Sequence, residues 1–392
     1  MGIREIVINN AQNLYGKEIP ANISNRIERE LEFINENIFL STAKIVNCFK
    51  AMGEIVIAKG RIGGSLIAYL LGISDVNPIE PHYICNNCKC VNFPNNKKYY
   101  TAYDLEDMLC PKCGNKMEKH GYGIPLEILF GLNGEKSIDF SINVSFNVLE
   151  VNTAELIQQS TGAAAVFNAD LRQKKNGIYI ISNNTAINNI YDDNSNFKIN
   201  ITSSAILDFL KKCINETKLN IEEISFNDNK VYSIFREGDT LGLDFFGSEY
   251  VKEMLSLVKP KCFSDLVRIM HIAFSIDLWD NNGKELFENG ILDFKELPLS
   301  KEDIMLYLIE KGLSKEEAYS IINNIGLKKS VTKSDEEVMR NHKISEEYIQ
   351  CLKKVKYLMP KAHTVAACKV LYYLAYFKVY YNEIFGDKYL PF

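Results

Sequence analysis

Two pairs of cysteines carry the most specific chemistry in this sequence. Cys85-x2-Cys88 and Cys110-x2-Cys113 are thiolate knuckles. Each knuckle sets two sulfurs on one side of a metal ion, and two of them close a tetrahedral site that suits zinc. Four sulfur ligands leave no open position for water, so this zinc is read as structural. The gap between the knuckles is slightly longer than in ordinary zinc ribbons. Cys90 is a spare thiol able to stand in for Cys88, whereas His82 and His120 read as ordinary polar residues. A second pattern lies at Ile138-Asp139-Phe140-Ser141-Ile142-Asn143-Val144. Its period of two predicts a strand with Ile138, Phe140, Ile142 and Val144 against a core and Asp139, Ser141 and Asn143 on the opposite face. A third is the glycine-rich turn Lys59-Gly60-Arg61-Ile62-Gly63-Gly64-Ser65. Its backbone N–H groups could cradle phosphate, with Lys59 and Arg61 adding positive charge; the plainer reading is a tight turn.

The elements that must hold these residues are legible in outline. Ile23, Ile27, Leu31 and Ile34 fall near helical spacing, and an apolar stripe continues from Ile38 to Phe49, so 1–58 reads as helical. Strands are expected at 137–146, 177–182 and 197–201. Helices are expected almost throughout from 203 onward, punctuated by Pro260, Pro298 and Pro360. The aromatic stripe from Tyr372 to Tyr381 has helical spacing and reads as core. The chain has 392 residues, 46% of them apolar, enough for a sizeable core. A net charge of −5 gives no global basic field, so contact with nucleic acid needs a local patch. No apolar run is long enough to span a bilayer, and the charged start MGIREIVINN does not read as a signal peptide. A cytoplasmic protein without a membrane partner is expected, its cysteines outside the 85–113 cluster being reduced core thiols.

Several further motifs follow one order. Asn77-Pro78-Ile79-Glu80-Pro81-His82-Tyr83-Ile84 leads into the first knuckle, and Gly123-Ile124-Pro125-Leu126-Glu127 and Gly131 to Lys136 precede the Asp139 strand. Lys259-Pro260-Lys261-Cys262-Phe263-Ser264-Asp265, Asp303 to Ile309, Lys356 to His363 and Ala375 to Val379 come after it. In these residues and this order the chain resembles the catalytic subunit of PolC-type bacterial DNA polymerase III, over most of its length and weakly between 150 and 225. The resemblance implies an α+β fold with a nucleotidyltransferase-type palm, a four-cysteine zinc insert and helical fingers. The expected divisions are 1–58 as a helical part of the palm, 59–202 as the palm with the insert at 80–120, and 203–392 as fingers. The family's exonuclease and PHP domain, and its clamp-binding and OB-fold tail, have no counterpart here. The stretch 158–176 is too short for the family's thumb and part of its palm.

Palms of this family hold two Mg2+ ions with three aspartates, two on one strand and one on its neighbour. The paired ions clamp the attacking and leaving oxygens of phosphoryl transfer, and a small hard cation needs anionic oxygens. By the resemblance, Asp139 is the first aspartate, Ser141 replaces the second and Asn200 the third. One charge in place of three leaves Mg2+ short of ligands, and loss of polymerase activity is expected. Asp192 and Asp193 are candidates for a replacement carboxylate. The resemblance also implies a nucleotide-facing surface of Lys59, Arg61, Gly63, Gly64, Ser65, Lys361 and His363, with Arg268, Tyr376 and Lys378 nearby. Ala273-Phe274-Ser275-Ile276-Asp277 lacks the polar groups of the family's pattern there. The expected role is an inactive binding protein, a decoy or modulator of replication. Its ligand would be primer–template DNA, a dNTP, a polymerase-directed inhibitor or a replisome protein such as the sliding clamp, whose groove the tail at 388–392 would suit. The alternative is a residually active nucleotidyltransferase that uses Asp139.

Overall fold

The computed structural model describes residues 2–94, 99–146, 155, 164–170, 175–181, 196–325 and 330–385, with the backbone alone for 164–170, 175–181 and 196–198. Asp192, Asp193 and the tail at 388–392 lie outside the described residues.

Three helices open the chain: α1 (Ile3–Tyr15), α2 (Ala21–Phe33) and α3 (Glu36–Ala51). In α2 the buried positions are Ile23, Ile27 and Glu30, a spacing of four and three that puts them on one face. Asn35 starts α3 by accepting the N–H groups of Asn37 and Ile38, two of the donors a helix end leaves unpaired. Strand β1 (Val56–Ala58), a 3-10 turn at Arg61–Gly64 and the short helix α4 (Leu66–Leu70) follow. The insert then builds its own sheet in the order β3-β2-β4 from β2 (His82–Ile84), β3 (Val91–Asn92) and β4 (Glu118–His120). Helix α5 (Leu126–Phe130) leads to β5 (Phe140–Val144), β6 (Ala164–Asp170), β7 (Lys175–Ile181) and β8 (Asn196–Ser203). The sequence predicts three of these four strands and not β6.

The main sheet has the order β1-β5-β8-β7-β6. Strands β5 and β8 run parallel, and the other neighbours are antiparallel. Burial alternates along β5 as the sequence predicts, with Phe140, Ile142 and Val144 closed off and Ser141 and Asn143 half-buried. The closed face joins Val56, Ala58, Ile199 and Ile201 and is covered by the opening helices. Ile57, one residue out of phase, packs with the other core.

The rest of the chain is helical: α6 (Ala205–Thr217), α7 (Asn229–Glu237), α8 (Glu249–Val258), α9 (Phe263–Phe274), α10 (Lys284–Glu288), α11 (Lys301–Glu310), α12 (Lys315–Asn324), α13 (Lys333–Asn341), α14 (Glu346–Lys354), α15 (Lys361–Tyr380) and α16 (Asn382–Phe385). Helix α15 is the axis of this region. Tyr372, Tyr373 and Phe377 of the aromatic stripe are core, as predicted, and Tyr380 is exposed. A helix that is apolar on nearly all sides must be surrounded, and α15 packs on α6, α7, α9 and the 61–64 turn. A Cβ placed on Gly63 would lie 3.1 Å from the Cβ of Ala362, so the turn needs a glycine to meet α15. Among the described residues no helix is long and apolar enough to cross a membrane.

Candidate functional site

The four predicted cysteines converge. The sulfurs of Cys85, Cys88, Cys110 and Cys113 all lie within 4.8 Å of one another. Cys85 and Cys113 are 3.4 Å apart, as are Cys88 and Cys110. Zinc–sulfur bonds of about 2.3 Å in a tetrahedron need sulfurs about 3.8 Å apart, so the set has the number, chemistry and spacing of a closed zinc site. The knuckles are built alike. The N–H of Lys89 reaches back to the Cys85 carbonyl and that of Gly114 to the Cys110 carbonyl, both at 2.8 Å. The residue after each second cysteine takes a left-handed conformation, with φ of 57° at Lys89 and 74° at Gly114. Cys90 is outside the sulfur group and serves through its carbonyl, which accepts the Cys85 N–H at 2.9 Å. His82 and His120 stack on each other and lie outside that group.

On the main sheet, the parallel register of β5 and β8 makes Ser141 the direct partner of Asn200. Asp139 is exposed just ahead of β5. Among the described residues, the cysteine group is the one place where three or more His, Cys, Asp or Glu ligand atoms come together, and Asp139 belongs to no such group. Lys59 is tied to this edge, its N–H donating to the Ser141 carbonyl at 2.8 Å. Arg61 donates to the carbonyls of Leu129 (3.2 Å) and Ser137 (2.8 Å), bracing the lead into β5.

The rest of the glycine-rich turn is committed inward. Gly63, Gly64 and Ser65 are buried. The carboxylate of fully buried Glu30 occupies the start of α4, accepting from the Leu66 N–H (2.9 Å), the Ile67 N–H (3.1 Å) and the Ser65 hydroxyl (2.6 Å). Arg26 balances Glu30 at 2.6 Å. The start of α4 and the Ser65 hydroxyl are therefore occupied by a carboxylate of the chain itself. This leaves Lys59 exposed, with Arg61 half-buried and already bonded to two carbonyls.

The two predicted residues at the start of α15 separate in the same way. Lys361 is interior, not nucleotide-facing: its ammonium lies 3.1 Å from Asp303 and 3.7 Å over the Tyr100 ring, which Arg268 covers at 3.8 Å. Tyr100 donates to Asp303 as well, at 2.9 Å. Lys378 ends the helix by bonding Asp239 and the Leu241 carbonyl. His363 is half-buried against Phe274, with no hydrogen-bond partner for Nδ1. Burial, with help from Lys59, lowers its pKa to about 4, so it is neutral at pH 7.

Beside Lys361, burial pushes the Glu302 carboxyl up to about 7, outweighing the N–H groups of Glu302 itself and of Lys361 (3.1 Å), while one carboxylate oxygen has no partner. The folded chain therefore holds this proton from the ordinary carboxyl range up to about pH 7, where the unfolded chain has lost it. Stability from this group is present in acid and declines as pH rises through that window. Glu302→Gln should flatten the decline, adding about 2 kcal/mol at pH 8 and little at pH 5, as read from urea unfolding at both values.

Two cations that the sequence reading did not select join Arg61. Lys136 bonds Asn323 at 3.0 Å and lies over Tyr319; burial, then Lys301 and Arg61, lower its pKa to about 8. Lys301 is lowered likewise by burial, with Arg61 adding to the effect. For both lysines burial is the largest cause and Arg61 adds to it, so the three cations are near neighbours.

Two family models match this arrangement. That of the bacterial DNA polymerase III alpha NTPase domain covers residues 1–150, and that of the bacterial DNA polymerase III alpha subunit finger domain covers 203–348. The chain belongs to the bacterial DNA polymerase III alpha-subunit family. Its similar relatives are PolC-type DNA polymerase III proteins. Those of Caldanaerobacter subterraneus and Bacillus subtilis are 28% and 29% identical, with 99% of this chain aligned to 34% and 33% of theirs. That of Thermotoga maritima is 28% identical over 97% of this chain and 34% of its own length. The chain spans about a third of the length of these polymerase III relatives. Their aligned spans, 463 to 473 positions, exceed its 392 residues, so they carry stretches inside the match that this chain lacks.

Proposed function

We propose that this chain is a binding protein built on a PolC-type palm and fingers, which takes the phosphates of a nucleotide or primer–template without polymerising them. The observation that carries the reading is the pairing of Ser141 with Asn200 next to exposed Asp139. In-line phosphoryl transfer by two metals needs convergent carboxylates, and neutral oxygens at two of three positions bind Mg2+ far more weakly. The phosphate-binding part rests on Lys59, Arg61, Lys136 and Lys301, which gather near the same edge. In the cytoplasm such a protein would act as a modulator of replication, or as a decoy for compounds aimed at the active polymerase.

Binding should follow the protonation of Lys136. Its charge is lost as pH rises through about 8, so affinity for dNTP or labelled primer–template should fall between pH 7 and 9. Lys136→Met should weaken binding about tenfold at pH 7 and remove most of that pH dependence. Fluorescence anisotropy at fixed salt reads both. Binding that is absent, or unaffected by pH and by the substitution, would refute this part of the reading.

A further inference from the structure

A cavity of about 770 Å3 opens elsewhere on the molecule, between β4 of the insert, Tyr69 of α4, α15 and the segment 221–227. It shares no lining residue with the Asp139 edge or its cations. Its volume is that of a metabolite pocket, not of a strand of DNA.

The floor has one distinctive feature. Lys369 of α15 is half-buried and lines the cavity, yet its ammonium has no hydrogen bond and no ion pair among the described residues. The groups around it in the cavity wall are the phenols of Tyr103, Tyr373 and Tyr69 and the carboxylate of Asp75. Asp75 is taken by Lys50, 3.4 Å away. Burial raises the Tyr69 and Tyr373 phenols to about 12, so they keep their protons and act as donors. With Asp75 engaged by Lys50, the ammonium has phenol hydroxyls beside it and room for an oxyanion. The rim is different. Asp107 is balanced by Lys116 and Lys119, and Glu118 is hydrogen-bonded with Asn86 and His120, whereas Glu222 and Glu223 are exposed at the mouth without an ion pair among the described residues. A polyanion would meet that acidic rim; a ligand with a positive outer end would be drawn to it.

We propose that this cavity binds a small zwitterion, with its carboxylate or phosphate on Lys369 and the phenol hydroxyls and its amine toward Glu222 and Glu223. The site is independent of the polymerase-derived reading, so either can fail alone.

The test is calorimetric titration of the full, zinc-loaded chain with three probes: phosphoethanolamine, 4-aminobutyrate and ethanolamine. Saturable binding of phosphoethanolamine assigns a phosphate head, and of 4-aminobutyrate a carboxylate head; ethanolamine, which lacks an anion, should bind at least about tenfold more weakly. Lys369→Met should weaken the bound zwitterion about tenfold or more, and Lys369→Arg should retain most of the affinity. Zinc content and the circular dichroism spectrum show whether each variant is folded. Because loss of Lys369 could act through packing, the double change Glu222→Gln/Glu223→Gln provides an independent arm. It should weaken the zwitterion about threefold while leaving inorganic phosphate no weaker than in the native chain. The proposal fails if neither zwitterion saturates, or if Lys369→Met binds as the native chain does.

Discussion

Replacing Cys85 and Cys110 together by serine should abolish zinc binding, taking the metal content from one ion per chain to none, and should unfold the insert. The packing explains why the effect is large. The insert's own core is Tyr83, Cys85, Leu105, Cys110 and Met117, so two of its five buried members belong to the four-cysteine group. A segment with so small a core depends on its metal, and structural zinc contributes about 10 kcal/mol or more to comparable small domains. The loss would spread. Tyr103 of the insert stacks on Phe226 at 3.9 Å, Thr101 and Asp104 both bond Ser264, and Tyr100 bonds Asp303. Thermal unfolding should therefore begin at a much lower temperature, and a strong chelator should reproduce the change in the native chain. Cys90→Ser should keep the zinc. Metal analysis with a thermal melt decides it; unchanged stability in the double variant would contradict the structural role.

Restoring carboxylates should have the second large effect. Ser141→Asp with Asn200→Asp places two new charges on paired positions of neighbouring strands, about 4.8 Å apart at the backbone and close to Asp139. Without metal the three like charges repel, and the variant should melt below the native chain. With Mn2+ the order should reverse. A divalent ion and a carboxylate a few ångströms apart attract by several kcal/mol even when screened, so binding should tighten by at least about a hundredfold. Electron paramagnetic resonance of free Mn2+, with melting curves in Mn2+ and in chelator, measures it. Equal affinity in the two proteins would show that positions 141 and 200 do not face a metal site.

How far these features could be read from the residues depended on the range of the interaction. The knuckles were visible because each is fixed within four residues. The alternation of β5 was visible because one strand shows it alone. The pairing of Ser141 with Asn200 spans 59 positions and came only through the family resemblance. Strand β6 was missed because its neighbourhood is rich in Asn and Asp, which reads as loop. The turn at 59–65 shows the limit: glycines and a serine look like a phosphate cradle, but Ser65 gives its hydroxyl to Glu30, 35 positions earlier, and Gly63 and Gly64 are buried. Lys361 looked exposed at a helix start, and its carboxylate partner is 58 residues away. Lys136 and Lys301 join Arg61 only when the palm and fingers are folded together. Zinc, strand and family were local or colinear signals, whereas charge pairing across the core was not.

The most direct measurement is primer extension by the purified native chain, with Mg2+ or Mn2+, alongside Asp139→Ala. The account predicts binding of primer–template with no nucleotide added beyond that control. Steady incorporation by the native chain, lost when Asp139 is removed, would mean that a catalytic metal pair survives here and that the central claim is wrong.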